Sequence, residues 1–243
     1  MTRGALVFTL AFGVLVAPQS AAEAQQPGKV YRIGMLNISA IDPAVRPALV
    51  VREQAFKDGL RAHGWVEGQN IVIERRHAGG RVERLPELAA ELVRLGVDVL
   101  VTSSGDPAIN TLKQATSAIP IVMVLSADPV GSGHIQSLAR PGGNVTGLSL
   151  LAVELRAKRL QFLISEVKEF AESGALMTYG PNFPEMYRQA ASYVDRSLRG
   201  APPASLPVQQ PTKFEFVINM KTAKALGLTI PPSLLLRADQ VIE

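Results

Sequence analysis

The chain has 243 residues, of which 47% are hydrophobic and 19% are charged, and its formal net charge is +4. A chain of this length forms one large domain or two small ones, and it can bury enough apolar surface to fold without disulfides or a structural metal. The sequence contains no cysteine, which excludes a disulfide framework, a zinc ribbon, an iron-sulfur cluster and a thiolate nucleophile.

Basic residues are spread thinly along the sequence, and the longest basic run is Arg75-Arg76. Aromatic residues make up only 5% of the chain, with Trp65 as the single tryptophan. Nucleic-acid sites usually combine a basic surface with aromatic side chains that stack on bases. The composition therefore predicts no nucleic-acid partner.

Residues 1–24 have the pattern of a secretory signal peptide. Arg3 gives a positive start, residues 5–17 are apolar and uncharged, and Ala22 and Ala24 supply the small side chains of a cleavage site. An apolar run of this length is too short to cross roughly 30 Å of hydrocarbon as a helix. We expect cleavage after Ala24 and a mature protein in the periplasm that does not insert into the membrane.

From Val30 onward, short apolar segments alternate with longer amphipathic ones. The predicted strands of this region are Val30–Leu36, Asn70–Glu74, Val97–Thr102, Ile119–Leu125 and Val145–Leu148. The predicted helices between them are Val45–His63, Arg84–Leu95, Pro107–Ser117 and Ser132–Ala139. Apolar strands separated by helices are typical of a parallel sheet covered on both faces, so the predicted fold class is α/β.

After Leu151 the predicted elements are fewer. They are a helix over Val153–Val167, a strand over Ala175–Tyr179, a helix over Pro184–Leu198, a strand over Phe214–Ile218, a helix over Lys221–Leu226 and a last helix opened by Pro231 and Pro232. The proline-containing stretch 200–211 predicts a stiff surface crossing. Five strands precede Leu151 and only two follow it, which is too few for an independently stable sheet.

Polar residues collect just after the predicted strands, where the loops of a parallel sheet bind ligands. The candidate ligand-binding residues are Ser39, Ser103, Ser104, Asp106, Asp128, Tyr179 and Asn182. Hydroxyls beside a helix N-terminus favour an anionic group, and Asp128 could accept hydrogen bonds from an ammonium group. Ordinary capping explains the serines and Asp106 equally well, and Tyr179 could either stack on a ligand or close the core.

No catalytic or metal-binding constellation is predicted. The sequence has no G-x-S-x-G elbow, no P-loop and no G-x-G-x-x-G after the first strand. His63, His77 and His134 are far apart in sequence, which favours surface or helix-end positions over metal ligation. Glu53 and Glu67 are predicted to be solvated. The pattern is that of a protein that binds a molecule without transforming it.

Several segments are specific enough to suggest a family. They lie at residues 30–36 (VYRIGML), 59–65 (GLRAHGW), 128–133 (DPVGSG), 138–147 (LARPGGNVTG), 179–182 (YGPN) and 217–232 (VINMKTAKALGLTIPP). The sequence resembles the ABC-transporter substrate-binding proteins of the tryptophan/tyrosine type. The resemblance implies a periplasmic-binding-protein type I-like fold, whose two lobes close on a small molecule such as an amino acid and deliver it to a membrane permease.

The resemblance also implies further βα units between Val167 and Lys168, where this sequence runs directly on. We therefore expect a truncated second lobe and impaired ligand binding. The expected organisation is a first α/β lobe of residues 29–150 with 180–200, and a remnant second lobe of residues 151–179 with 201–243. The alternatives are a sensor or interaction domain of the same fold, which would lack a permease, and an α/β hydrolase, which would need a catalytic residue pair in the cleft.

Overall fold

The computed structural model describes residues 29–39, 47–150, 171–172 and 174–243. The predicted signal peptide and the predicted helix over 153–167 lie outside the described residues. No helix of the described part of the chain is both long enough and apolar enough to span a bilayer.

The first sheet is parallel throughout, and its strand order is β2-β1-β3-β4-β5. Its strands are β1 (Tyr31–Asn37), β2 (Ile71–His77), β3 (Val99–Thr102), β4 (Ile121–Met123) and β5 (Val145–Gly147). The central strands β3 and β4 are buried along their whole length, as expected for a sheet covered on both faces. The predicted α/β class and the parallel pairing are confirmed.

Helices cover both faces of this sheet. They are α1 (Pro47–Ala62), α2 (Leu85–Arg94), α3 (Gly105–Ala115) and α4 (Phe183–Leu198). Side chains alternate along the strands, so Val99 and Val101 pack towards α1 and α4, whereas Leu100 packs towards α2 and α3. The predicted apolar stripe of α2 is buried except for Leu95, which is 38% exposed just beyond the helix.

Helix α4 packs against α1 although the two are far apart in sequence. A Cβ atom at Gly59 of α1 would lie 2.7 Å from the carbonyl oxygen of Arg188 and 2.8 Å from the Cβ of Ala191. Only glycine therefore permits this close approach of the two helices. The apolar face of α4, including Tyr193 and Val194, completes the core beneath the first sheet.

The second sheet is small and mixed, with the order β6-β7-β8. Its strands are β6 (Met177–Pro181), β7 (Phe214–Asn219) and β8 (Gln240–Ile242), and the short helices α5 (Met220–Ala225) and α6 (Pro232–Leu235) accompany them. Strand β7 pairs with β6 in the antiparallel direction and with β8 in the parallel direction. Among the described residues the buried centre of this lobe is Ile218, Ala223 and Ile230, so the second lobe is partial. The sequence analysis missed β8, which is only three residues long.

The predicted helix over Ser132–Ala139 is wrong. The chain after β4 forms successive turns, in which the backbone N–H groups of Ser132 and His134 donate to the carbonyl oxygens of Asp128 and Pro129. Gly133 has a φ of +69°, a left-handed conformation that interrupts a helix. The apolar spacing that suggested a helix arises instead from Ile135 and Leu138, which pack on the core beside α2 and α3.

Candidate functional site

A cleft of about 390 Å³ opens where β1 and β3 end, and helices α1 and α4 contribute to its walls. Its polar lining consists of Asn37, Ser39, Arg52, Glu53, Ser103, Ser104 and Tyr187. Its apolar lining consists of Met35, Ile38, Leu49 and Leu125. A concavity in which polar groups converge beside apolar side chains is a usual form of small-molecule site.

Asn37 ties together the two strand ends that form the floor of the cleft. Its Oδ1 accepts hydrogen bonds from the backbone N–H of Ser103 at 3.1 Å and from the Ser103 hydroxyl at 3.0 Å. The Oγ of Ser104 accepts a hydrogen bond of 2.9 Å from the backbone N–H of Ile38. Asn37 and the residue after it therefore fix both serines that follow β3.

Helix α3 starts at the cleft. Ser104 occupies the N-cap position, but its side chain makes no capping hydrogen bond to the helix. The hydroxyl turns instead towards Ile38, because the end of β1 lies beside it. Asp106 was predicted as a possible cap, and it does not cap the helix either.

A cation and an anion from α1 line the same cleft. The Arg52 guanidinium lies 4.3 Å from the centre of the Phe183 ring, which begins α4. Glu53 accepts a hydrogen bond of 2.9 Å from Arg75 Nε, and Lys57 Nζ lies 3.5 Å from the same carboxylate. The Glu53 side chain is only 16% exposed, so the prediction that this residue is solvated is wrong.

Glu67 belongs to the same ion-pair network on the outer side of α1. Its carboxylate accepts hydrogen bonds of 2.7 and 3.2 Å from the Arg75 guanidinium. The hydrogen bond from Arg75 lowers the pKa of the Glu67 carboxyl, which keeps it ionised. The predicted solvated carboxylate is thus a partner in a salt bridge, although 35% of its side chain remains exposed.

Tyr187 of α4 forms part of the cleft wall. It is 5% exposed, and burial raises the pKa of its hydroxyl, while hydrogen bonds with Ser103 and Arg52 act in the opposite direction. The phenol is therefore neutral and able to donate a hydrogen bond. Tyr187 brings a residue from beyond position 180 into direct contact with Ser103, just after the end of β3.

The predicted site residues separate into two groups. Ser39, Ser103 and Ser104 line the cleft. The carboxylates of Asp106 and Asp128 lie outside this lining and accept hydrogen bonds from protein groups. Asp128 Oδ1 accepts a hydrogen bond of 2.8 Å from the backbone N–H of Gly131, which is typical of a turn.

Tyr179 and Asn182 lie at the edge of the second sheet, outside the cleft lining. The Tyr179 ring stacks on that of Phe214 with a centroid distance of 5.5 Å. Asn182 caps α4, because its Oδ1 accepts a hydrogen bond of 2.8 Å from the backbone N–H of Glu185. Its Nδ2 donates a hydrogen bond of 2.7 Å to the Glu215 carboxylate.

The candidate residues from the sequence omitted four polar residues of the cleft: Asn37, Arg52, Glu53 and Tyr187. Arg52 and Glu53 stand on the amphipathic helix α1, where a charged residue usually faces water. Tyr187 falls on the predicted apolar face of α4. Its spacing indicates burial, but no local signal indicates which loop it meets.

The histidines have different environments. The side chain of His134 is fully buried beside Asp106, so the predicted surface or helix-end position is wrong for this residue. His63 follows the end of α1, and His77 ends β2. Within the described residues, no cluster of three or more acidic or histidine side chains could hold a metal ion.

Comparison with known proteins identifies relatives for both parts of the chain. The sequence model of a family described as "ABC transporter substrate binding protein" matches residues 37–168 and 150–242. A tyrosine-binding protein of Clostridioides difficile is 29% identical over 134 residues, which is 55% of this chain and 39% of that protein. The matched part of this chain thus spans about two fifths of the length of that curated relative.

Solved structures share the fold. A conserved domain protein from Vibrio cholerae has a TM-score of 0.77 and 26% identity, with 88% of this chain and all of the other covered. An ABC domain from Streptococcus pneumonia in complex with L-Trp has a TM-score of 0.76 and 21% identity, with 87% of this chain and 99% of the other covered.

Proposed function

Because this chain belongs to the family of ABC transporter substrate binding proteins, we propose that it binds a small solute at the carboxyl edge of its first sheet and passes it to a membrane permease. The observation that carries the proposal is the cleft itself. It brings together Ser39, Ser103 and Ser104, which follow two different strands in the sequence. In open α/β sheets this edge is where ligands bind.

The proposed ligand is an amino acid. The cleft presents hydroxyls near the start of α3 together with one cationic and one anionic side chain, Arg52 and Glu53. The carboxylate of a zwitterionic amino acid can bind the serine hydroxyls and the positive end of α3. Its ammonium group can bind the carboxylate of Glu53. The tyrosine-binding relative and the L-Trp complex of a protein with the same fold support this class.

We further propose that the partial second lobe weakens binding. In two-lobed binding proteins, closure lets each lobe supply contacts and excludes water from the ligand. Here the described part of the second lobe has a three-stranded sheet with a small core. The family model also matches in two segments that overlap at residues 150–168, which is consistent with a missing stretch between them. The proposed location is the periplasm, following the signal-peptide pattern of residues 1–24.

Isothermal titration calorimetry across the twenty amino acids tests both proposals. We expect weak, saturable binding of one or a few amino acids. Tight binding, with a dissociation constant of about 1 μM or below, would contradict the impairment. No binding at concentrations up to several millimolar would contradict the amino-acid class.

Ser104→Ala tests the contribution of the serines. We expect at least a severalfold loss of affinity for the amino acid that the calorimetry identifies, because the hydroxyl both fixes Ile38 and faces the cleft. Thr111→Val is the matched control, since its hydroxyl donates within α3 to the carbonyl oxygen of Pro107. Unchanged affinity in Ser104→Ala would count against the role of the serines in ligand binding.

A further inference from the structure

The turn after β4 is joined to the first turn of α3 by a triangle of side chains. Asp106 Oδ2 accepts a hydrogen bond of 2.9 Å from Ser132 Oγ, and its Oδ1 lies 2.9 Å from His134 Nε2. Because a carboxylate only accepts, Nε2 carries the proton. Both oxygens of Asp106 are thus occupied by residues of the neighbouring loop.

A second contact joins the same two segments about two helical turns further along the same face of α3. Lys113, seven residues after Asp106, donates to the carbonyl oxygens of Gly133 at 2.7 Å and His134 at 3.3 Å. The loop is itself ordered by the Asp128 turn, whose carboxylate accepts from Gly131. The loop after β4 therefore contacts α3 at both Asp106 and Lys113, and a hydrogen bond within the loop stabilises its turn.

The imidazole of His134 is buried at a cost. Its side chain is fully buried, and its Nδ1 has no hydrogen-bond partner among the described residues. A buried polar nitrogen without a partner destabilises the folded state, and an apolar side chain of similar size would avoid this cost. The gain that offsets it here is the hydrogen bond that Nε2 gives to Asp106.

The position of Asp106 connects this triangle to the cleft. Asp106 follows Ser104 by two residues, and Ser103 and Ser104 are fastened on the other side to the end of β1. The start of α3 is thus fixed between β1 and the loop after β4. A shift of its first turn would displace both serine hydroxyls from the cleft wall.

We propose that Asp106 and His134 are positioning residues for ligand binding, which hold the start of α3 so that Ser103 and Ser104 face the ligand. This inference rests on the proposed function of the cleft. Asp106 acts through the helix and does not contact the ligand, since it lies outside the cleft lining.

Two readouts test the proposal in the full chain. The first is the affinity for L-tryptophan and L-tyrosine, measured by NMR titration well below the unfolding temperature. The second is amide hydrogen exchange over residues 103–108, which reports whether the first turn of α3 is held. We expect His134→Leu and Asp106→Ala to weaken affinity by about tenfold, equivalent to about 1.4 kcal/mol, and to speed exchange over these residues.

Matched variants separate positioning from a general loss of stability. His134→Gln retains an N–H donor that can reach Asp106, and we expect it to restore both affinity and slow exchange. Thr111→Val removes a hydroxyl that donates within the same helix, to the carbonyl oxygen of Pro107, and we expect both readouts to be unchanged. Ser132→Ala removes one hydrogen bond from Asp106 at an exposed site, so it provides a folded variant if His134→Leu does not fold.

A change in only one readout, or in neither, would overturn the proposal. If the unsubstituted chain binds neither of these two, the affinity is measured with the amino acid that the calorimetry identifies. If the calorimetry identifies none, the proposed ligand class fails, and exchange alone then decides whether the triangle holds α3. Faster exchange in Ser132→Ala and Asp106→Ala would support that role, and unchanged exchange would reject it.

Discussion

Gly147 ends β5 in a backbone conformation that side chains rarely adopt. Its φ is +130°, and a Cβ atom at this position would overlap the carbonyl oxygen of Met123 on the neighbouring strand. That carbonyl accepts the hydrogen bond from the backbone N–H of Leu148. The chain can leave the sheet in this direction only because residue 147 has no side chain.

Gly147→Ala is therefore expected to destabilise the protein by at least about 1–3 kcal/mol from backbone strain alone. Gly143→Ala is the matched control, because a Cβ there meets no atom within 4 Å. Urea unfolding of the two variants measures the difference. Equal stabilities would show that β5 adjusts to a side chain at position 147.

At the scale of elements, one buried carboxylate joins α4 to the loop after α1. Asp195 Oδ1 accepts hydrogen bonds of 2.9 Å from the Trp65 indole and 2.7 Å from Arg199 Nε. Burial alone would raise the pKa of the Asp195 carboxyl, but the hydrogen bonds from Arg199 and Trp65 outweigh it and the pKa is lowered. The ionised form thus stabilises the contact between these elements.

This lowered pKa predicts how stability depends on pH. The stabilisation is complete above the ordinary aspartate pKa of about 3.9, and it is lost as the pH falls through the lower pKa of the folded state. Asp195→Asn should reduce the free energy of unfolding at pH 7, and its difference from the unsubstituted chain should shrink below about pH 4.

Urea unfolding between pH 3 and pH 7 measures this dependence. Asp58→Asn is the control, because this exposed carboxylate on α1 pairs with Arg61 in solvent and should contribute little. A stability difference between Asp195→Asn and the unsubstituted chain that stays constant down to pH 3 would contradict the assignment.

At the scale of the whole molecule, the first lobe is not continuous in sequence. Helix α4 lies beyond β6 of the second sheet, yet its apolar residues pack beneath the first sheet. Leu206 and Val208 also return to the cores of the first lobe after α4. A partial second lobe can therefore remain attached to a first lobe whose core is complete.

Truncation tests this dependence. A chain ending at residue 182 should lose cooperative unfolding, because it leaves the apolar face against α1 uncovered. A chain ending at residue 211 keeps α4 and loses β7 and β8, so it should retain cooperative unfolding of the first lobe. Near-ultraviolet circular dichroism and urea unfolding distinguish the two, and a cooperative transition in the shorter chain would contradict the role of α4.

The sequence alone determined the α/β class, the parallel first sheet and the family, all of which are confirmed. Local patterns determine these properties: apolar strands at regular intervals, amphipathic helices between them and short specific motifs. The same reasoning placed Ser103 and Ser104 at the carboxyl edge of the first sheet, where they line the cleft, because parallel strands present their carboxyl ends on one side.

Only the tertiary structure decided which distant segments meet. Asp106 resembles a helix cap in sequence, but its partners are Ser132 and His134 from the next loop. Tyr187 has the spacing of a core residue, yet it also lines the cleft. A side chain's partner depends on the path of the whole chain, whereas periodicity reports only which face of an element is buried.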